Sequence, residues 1–440
     1  MKVLKLLVAL FIVHVQLAEA QNINLFARTD SLIGRIEQSD RGMGSVSVFM
    51  NGEEVYKRHY GFASLESQMP IDDKTLFRIG SISKTFTATL VLKQVELGKL
   101  KLTDSLSKWF PMFGNSRKIT IRHLLSHQSG IYNFTSDATY LQWNVQPHSR
   151  KELLERMLRY PNVFMPGEKT EYSNSNYVLL TWILEEVSGE TYSNLLDKWI
   201  VKPAGLKQTF FTTDPAMPLA SSYNRTTSWI KSTDTHESIP LGAGAIVSTP
   251  SELNRFLFAL LSGKLLSPGS LTAMKTISAD RFGLGLIKVP FYTYTGYGHT
   301  GGIDGFQSQL FGFRNDSVVV AITANAVMYP INELMIGILS DVFQLPFQLP
   351  VFKSAVETSP EQLQAYTGVY SAAGLPIKLT ISVQDGVLTG QGTGQPSFPL
   401  TCTGPHQFAF EQAGIVLEFQ PAQHQMVLIQ MGNRFVMKKE

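Results

Sequence analysis

The spacing of apolar residues along the 440-residue chain changes period several times, and each change predicts an element. Residues 46–50 and 54–60 flank Asn51-Gly52 and read as a β-hairpin, because Asn and Gly accept the left-handed backbone of a tight turn. Phe86, Leu90, Val91 and Val95 then recur at helical spacing, which predicts a helix from Ser83 to about Leu97, stopped by Gly98. From Thr103 to Pro240 short helices alternate with loops; the clearest helix covers 176–187 and is closed by Gly189. Thr249-Pro250-Ser251-Glu252 is a capping-box sequence with proline at the first helical position, and it predicts a helix through Leu261. Residues 306–313 and 317–324 read as strands around Asn315-Asp316, and 334–342 as a closing helix.

Strands at both ends with helices between them predict a mixed α/β (α+β) domain, in which one sheet gathers strands from distant parts of the chain. After Pro350 the texture changes to short strand-like runs at 378–383, 387–389, 408–410, 415–419, 426–430 and 435–438. These predict a small antiparallel sheet or barrel. The expected division is 1–20, 21–350 and 351–440.

The first 20 residues carry a different signal. Lys2 and Lys5 adjoin an apolar run through Val13, and Leu17-Ala18-Glu19-Ala20 places small residues before a cut after Ala20. This pattern predicts a secretory signal peptide and an exported, periplasmic or secreted protein. The run is shorter than the roughly 20 apolar residues of a membrane anchor, so the mature chain is expected to have no transmembrane span. With 38 basic and 35 acidic residues the charge balance carries no partner information, but only 17% of residues are charged, which argues against a long disordered or nucleic-acid-coating tail, and no nucleic-acid partner is expected. The single cysteine, Cys402, cannot form an intrachain disulfide and reads as a packed residue rather than a nucleophile.

Three short motifs carry candidate chemistry. In Gly80-Ser81-Ile82-Ser83-Lys84, Ser81 and Lys84 sit three apart at a helix start and share a face. A lysine amine can take the serine proton if its site keeps it neutral. In Tyr172-Ser173-Asn174, a phenolate stabilised by a neighbouring cation can act as a second base, and Asn174 can bond both the lysine and a substrate amide. In His299-Thr300-Gly301-Gly302, the glycines leave room for a substrate backbone. The Gly302 N–H can pair with that of Ser81 as an oxyanion hole, Thr300 can donate to a substrate, and His299 can bias Tyr172. Taken singly, each has a plainer reading: a surface helix, a buried tyrosine before an Asn cap, a Gly-rich turn.

Taken together and in this order, they resemble the superfamily of serine β-lactamases and penicillin-binding proteins, whose pattern is S-x-x-K, Y-x-N and K-T-G or H-T-G. Class C β-lactamase-like, D-alanyl-D-alanine carboxypeptidase-like and peptidase S12-type members share it. The flanks Phe77-Arg78-Ile79-Gly80, His123 to His127, Ser129-Gly130 and Pro166-Gly167 agree with it. The resemblance implies an acyl-enzyme on Ser81, catalytic roles for Lys84, Tyr172 and His299, and substrate contacts from Asn174, Thr300 and Gly301. It also implies an antiparallel sheet with flanking helices facing a helical subdomain, and a lipocalin-like C-terminal β domain. Where class C β-lactamases carry lysine this chain has His299, so a D-peptide is the expected substrate and a long-lived adduct the expected fate of a penicillin. A carboxylesterase, a weak β-lactamase and a non-catalytic peptidoglycan-binding protein are the alternatives.

The expected partner is a small molecule or peptide, with a peptidoglycan stem peptide as one candidate; oligomeric state stays open. No cofactor or metal is expected. His123 and His127, four apart, lack a completing ligand set and read as scaffold, Asp304 reads as a turn cap, and Arg281 could receive a substrate carboxylate or face solvent. Asn133, Asn224 and Asn315 each begin an N-x-Ser/Thr sequon.

Overall fold

The computed structural model describes the chain except residues 1–23, 212–216, 226–227, 278–280, 314–316, 353–357, 373–374, 376, 411–412 and 431–432. The expected signal segment and the Asn315-Asp316 turn lie outside the described residues.

Helix α1 (Ala27–Gln38) leads into a hairpin of β1 (Gly42–Met50) and β2 (Glu53–Tyr60). Asn51 and Gly52 turn it with φ of 54° and 88°. Helices α2 (Ser83–Glu96), α3 (Asn174–Ser188) and α4 (Pro250–Leu261) follow, joined by loops and short helices. The chain returns to the sheet as β3 (Ile287–Phe291), β4 (Tyr294–Ile303), β5 (Phe306–Phe313) and β6 (Val318–Val327), and α5 (Ile331–Val342) closes this part. The main path of the sheet runs β2-β1-β6-β5-β4-β3 with every neighbouring pair antiparallel, and the short strand Tyr223–Arg225 adds a parallel pairing to β6.

Both faces of this sheet are covered, and β6 shows how. Val318, Val320 and Ile322 join the core shared with α1 and α5, whereas Val319 and Ala321 join the core shared with α2, α3 and α4. Side chains alternate along a strand, so a strand covered on both sides reads as an unbroken apolar run.

Helix α2 is more buried than its apolar stripe predicts. Every residue from Ser83 to Leu92 is buried. Its threonines are satisfied internally: the Thr85 hydroxyl donates to Gly285 O (2.9 Å), Thr87 to Gly242 O (2.7 Å) and Thr89 to Thr85 O (2.8 Å). A hydrogen-bonded hydroxyl is tolerated inside where an unpaired one is costly. The cap of α4 is half of the box predicted. Thr249 accepts from the Glu252 N–H, but the Glu252 carboxylate accepts from Lys207 N (2.6 Å), Gln208 N (2.7 Å) and the Thr209 hydroxyl (2.8 Å). It tethers a distant loop instead of its own helix.

The C-terminal strands are β7 (Gly368–Ser371), β8 (Leu379–Gln384), β9 (Val387–Gly392), β10 (Ser397–Pro399), β11 (Thr401–Gly404), β12 (Gln407–Phe410), β13 (Ile415–Gln420), β14 (Gln425–Gln430) and β15 (Asn433–Lys439). They pair in the order β10-β9-β8-β7-β15-β14-β13-β12-β11. The two edge strands, β10 and β11, are separated by Leu400 alone. The sheet therefore curls until its edges approach, giving a near-closed barrel around Leu388, Phe408, Leu417, Met426 and Met437. Cys402 lies half-buried in β11. Among the described residues no helix is long and apolar enough to cross a membrane.

Candidate active site

Ser81 sits in a 3₁₀ turn, Gly80–Ile82, that feeds directly into α2. Gly80 adopts φ 50°, which a side chain rarely accepts, and a Cβ there would lie 2.8 Å from the Gly302 nitrogen. At Gly301 a Cβ would lie 2.0 Å from the Ile79 carbonyl oxygen. The sequence suggests that the paired glycines make room for a substrate. The structure fills the room at Gly301 with the chain's own Ile79–Gly80 backbone, so that β4 can lie against the serine turn.

The Ser81 hydroxyl is 3.0 Å from Lys84 Nζ and 2.7 Å from the Tyr172 hydroxyl. Lys84 is fully buried, and that burial drives its pKa well below the ordinary lysine value. Its Nζ donates to Asn174 Oδ1 (2.7 Å) and to the Ala243 carbonyl (2.7 Å), both pure acceptors. A neutral amine has two N–H bonds and one lone pair. With both N–H bonds committed, the lone pair is left for the Ser81 hydroxyl proton. Tyr172 in turn donates its phenol hydrogen to Ser81 Oγ.

Burial raises the Tyr172 phenol above its ordinary range, and its hydrogen bond with Ser81 offsets only part of that. The sequence reading has a phenolate beside a cation as a second base; the two shifts, amine down and phenol up, favour the amine over the phenol as the base at rest.

Residues that the sequence reading took as scaffold or as a sequon hold this group in place. The His127 ring stacks on Tyr172 with centroids 4.4 Å apart, and its Nδ1 accepts from Ser173 N (3.2 Å). The proton is thereby fixed on Nε2. Asn174 donates from Nδ2 to Thr135 Oγ1 (2.9 Å) and from its backbone to Asn133 Oδ1 (3.0 Å). Asn133, read as a sequon, is thus tied into the site. His123 is a capping residue: its Nδ1 accepts from Thr120 N, while Thr120 accepts from His123 N. Among the described residues no group of three His, Cys, Asp or Glu could hold a metal.

His299 is buried beside Tyr172, with ring centroids 6.4 Å apart, and its Nδ1–H donates to the Thr300 carbonyl (2.6 Å). Burial, then the positive charges that Lys84 and Arg281 carry when protonated, lowers its pKa to about 3. At neutral pH it therefore offers no cation. Thr300, next along β4, is exposed on the opposite face of the strand and lines a neighbouring hollow rather than the Ser81 cleft. Arg281 is exposed, its guanidinium 5.8 Å from the Phe282 ring, which itself packs 6.1 Å from Tyr172.

The cleft has a volume of about 360 Å³, and Ser81, Thr135, Asn174, Ala243 and Gly302 are among its lining residues. Beyond Gly298, β4 pairs with β5 alone, so residues 299–303 leave one strand edge open beside the serine turn. Asp304 is the one charged residue in the lining. It is more than the expected turn cap, accepting from Arg78 (2.7 Å), Thr235 N (3.1 Å) and the Thr235 hydroxyl (2.6 Å).

This cleft falls within a stretch of the chain that matches known proteins. The family model described as beta-lactamase matches residues 30–330. The chain belongs to the beta-lactamase family. Its fold is thus of serine-hydrolase type, shared with penicillin-binding proteins. This beta-lactamase-family chain is 31% identical over 291 residues to PbpX of Bacillus subtilis (strain 168), covering 64% of its own length and 70% of that protein. It is 30% identical over 244 residues to the teichoic acid D-alanine hydrolase of Staphylococcus aureus (strain MRSA252), covering 54% of itself and 58% of the relative. Against the solved D-stereospecific amidohydrolase from Streptomyces sp., the TM-score is 0.61 at 28% identity, over 68% of this chain and 94% of that one.

Proposed function

We propose that the chain is a serine acyl hydrolase acting on D-alanyl esters and amides, D-alanyl-D-alanine-type peptides included. The observation that carries this reading is the Ser81 hydroxyl held between Lys84 Nζ at 3.0 Å and the Tyr172 hydroxyl at 2.7 Å. As Oγ bonds to the scissile carbonyl carbon, the Lys84 lone pair takes its proton. The Ser81 and Gly302 N–H groups receive the charge on the carbonyl oxygen. Lys84 is now an ammonium beside Tyr172, which makes the phenol more acidic. Tyr172 gives its proton to the leaving oxygen or nitrogen as that bond breaks, and Lys84 returns one to Tyr172. Water then attacks the Ser81 ester, losing a proton to Lys84, and Ser81 Oγ leaves with a proton passed back through Tyr172.

Preference for a D-alanyl group is supported by the relatives, one named for D-alanine hydrolysis and one for D-stereospecific amide hydrolysis. Comparing a D-alanyl ester, a peptide ending in D-Ala-D-Ala, a penicillin and a short-chain ester tests this. The D-alanyl ester is expected to turn over fastest and the penicillin to leave a persistent adduct. Turnover of the plain ester alone would replace this reading with a carboxylesterase.

Carboxypeptidase action has one observation in its favour: Arg281 lies close enough to lower the pKa of His299. If Arg281 receives the terminal carboxylate, Arg281→Gln should raise KM for the peptide about tenfold and leave the D-alanyl ester unaffected. Equal effects on both substrates would rule that contact out.

A further inference from the structure

Two hollows of about 530 and 480 Å³ continue from the Ser81 cleft around the tip of β4 and β5. The first shares Gly302, Ile303 and Asp304 with the cleft, and the second shares Asp304, Gln307 and Gln309 with the first. The second hollow is also lined by Phe410 of β12 and by Ala413 in the loop before β13, so adjoining hollows form a groove bordered by residues of both sheets.

The lining of this groove is carboxamide and hydroxyl. Thr300 lies opposite Gln309 and Gly302 opposite Gln307 in the β4–β5 register, so these residues share the outer face at strand spacing. Asn224 and Asn332 line the second hollow, and both are exposed. Among the described residues neither hollow is lined by a lysine or arginine, and the carboxylate that lines them, Asp304, is already held by Arg78 and Thr235. Gln309, only 7% exposed, has a side-chain oxygen without a hydrogen-bond partner. A buried acceptor left unpaired costs more than a satisfied one contributes. Its place in a polar groove suits a donor arriving from outside.

We infer that this groove is a subsite for a neutral glycan bearing hydroxyl and acetamide groups, the polymer to which the hydrolysed D-alanyl group is attached. The inference rests on the hydrolase reading above for its connection to Ser81. Hydroxyls and acetamides both donate and accept, as do the carboxamides of Gln307, Gln309, Asn224 and Asn332. A polyanion such as a polyol-phosphate chain would instead call for lysine or arginine along the path. The half-buried Phe410 ring, stacked on Phe398 at 4.8 Å, places an apolar surface at the far end.

The test uses the full chain carrying Ser81→Ala, titrated calorimetrically with the N-acetylglucosamine tetramer and, separately, with poly(glycerol phosphate). The tetramer is expected to bind. Gln307→Ala and Asn332→Ala, both at exposed positions, are each expected to weaken it by about tenfold, the worth of one or two neutral hydrogen bonds. Phe410→Ala should weaken it from the other end of the groove. The inference is overturned if the tetramer does not bind, if none of these variants weakens it, or if only poly(glycerol phosphate) binds. Acyl labelling of the unaltered Ser81 protein by an activated ester reports on the hydrolase reading independently. A chain that labels but does not bind the tetramer loses the subsite, and one that binds without labelling loses the hydrolase.

Discussion

Lys84 owes its character to three neighbours contributed by different parts of the chain: Ser81 in its own turn, Asn174 and the Ala243 carbonyl. An ammonium could satisfy the same contacts, but it would be an ion with no carboxylate bonded to it at a position with no solvent exposure. The neutral amine resolves this and leaves a lone pair for the nucleophile. In the proposed mechanism Tyr172 then works as a proton carrier whose acidity changes within each turnover. Tyr172→Phe keeps the ring on His127 and removes only the carrier. We expect kcat to fall by roughly 10²–10⁴ while the thermal midpoint stays near that of the parent. A parent-like kcat would show that Lys84 serves the leaving group directly.

Among the elements, β4 is the one on which the site turns. It must pass close to the serine turn to bring the Gly302 N–H into the cleft, and Gly301 is what permits the approach. Gly301→Ala would place a methyl 2.0 Å from the Ile79 carbonyl oxygen, which forces the strand outward. Overpacking of this kind costs about 1–3 kcal/mol, readable by chemical denaturation. Acylation should suffer more than stability does, because the displaced N–H is the one proposed to receive charge. Much of this architecture is legible in the sequence. Asn51-Gly52 marks the hairpin, Gly189 ends α3 in the left-handed conformation at φ 74°, and the apolar run at 318–322 marks a strand. Local spacing could not show that α2 is buried on every side, because its polar threonines are satisfied by Gly242 and Gly285, some 155 and 200 residues away in sequence. Glu252 is similar: the capping pattern is real, but its carboxylate is claimed by the loop at 207–209.

For the whole molecule, three buried basic groups share one electrostatic consequence. Burial lowers the pKa of Lys84, His127 and His299, so at low pH the unfolded chain binds protons that the folded chain refuses. Stability should therefore rise with pH. Above about pH 7.5 only Lys84 contributes, by up to roughly 1.4 kcal/mol per pH unit between its lowered folded pKa and the ordinary lysine value. Below about pH 6 the two histidines join it, and the slope should steepen to as much as roughly 4 kcal/mol per unit. Denaturant midpoints at pH 8, 6.5 and 5 would show the break, and a flat profile would mean that these groups stay accessible to protons. The site is less legible than the fold for the same reason that it is buried. Ser81, Lys84, Tyr172 and Asn174 stand out as motifs. The charge states of Tyr172 and His299, the stacking of His127 and the carbonyl of Ala243 follow only from what surrounds them.

The most direct measurement is the rate at which a slowly released acyl donor labels Ser81, followed by intact mass and peptide mapping across pH. A single acyl group on the Ser81 peptide is predicted. Its rate should rise with pH along one limb whose midpoint lies well below the ordinary lysine value, with no break near pH 6.5. A label on any other residue, or a limb at the lysine value of about 10.4, would contradict a neutral Lys84 as the base.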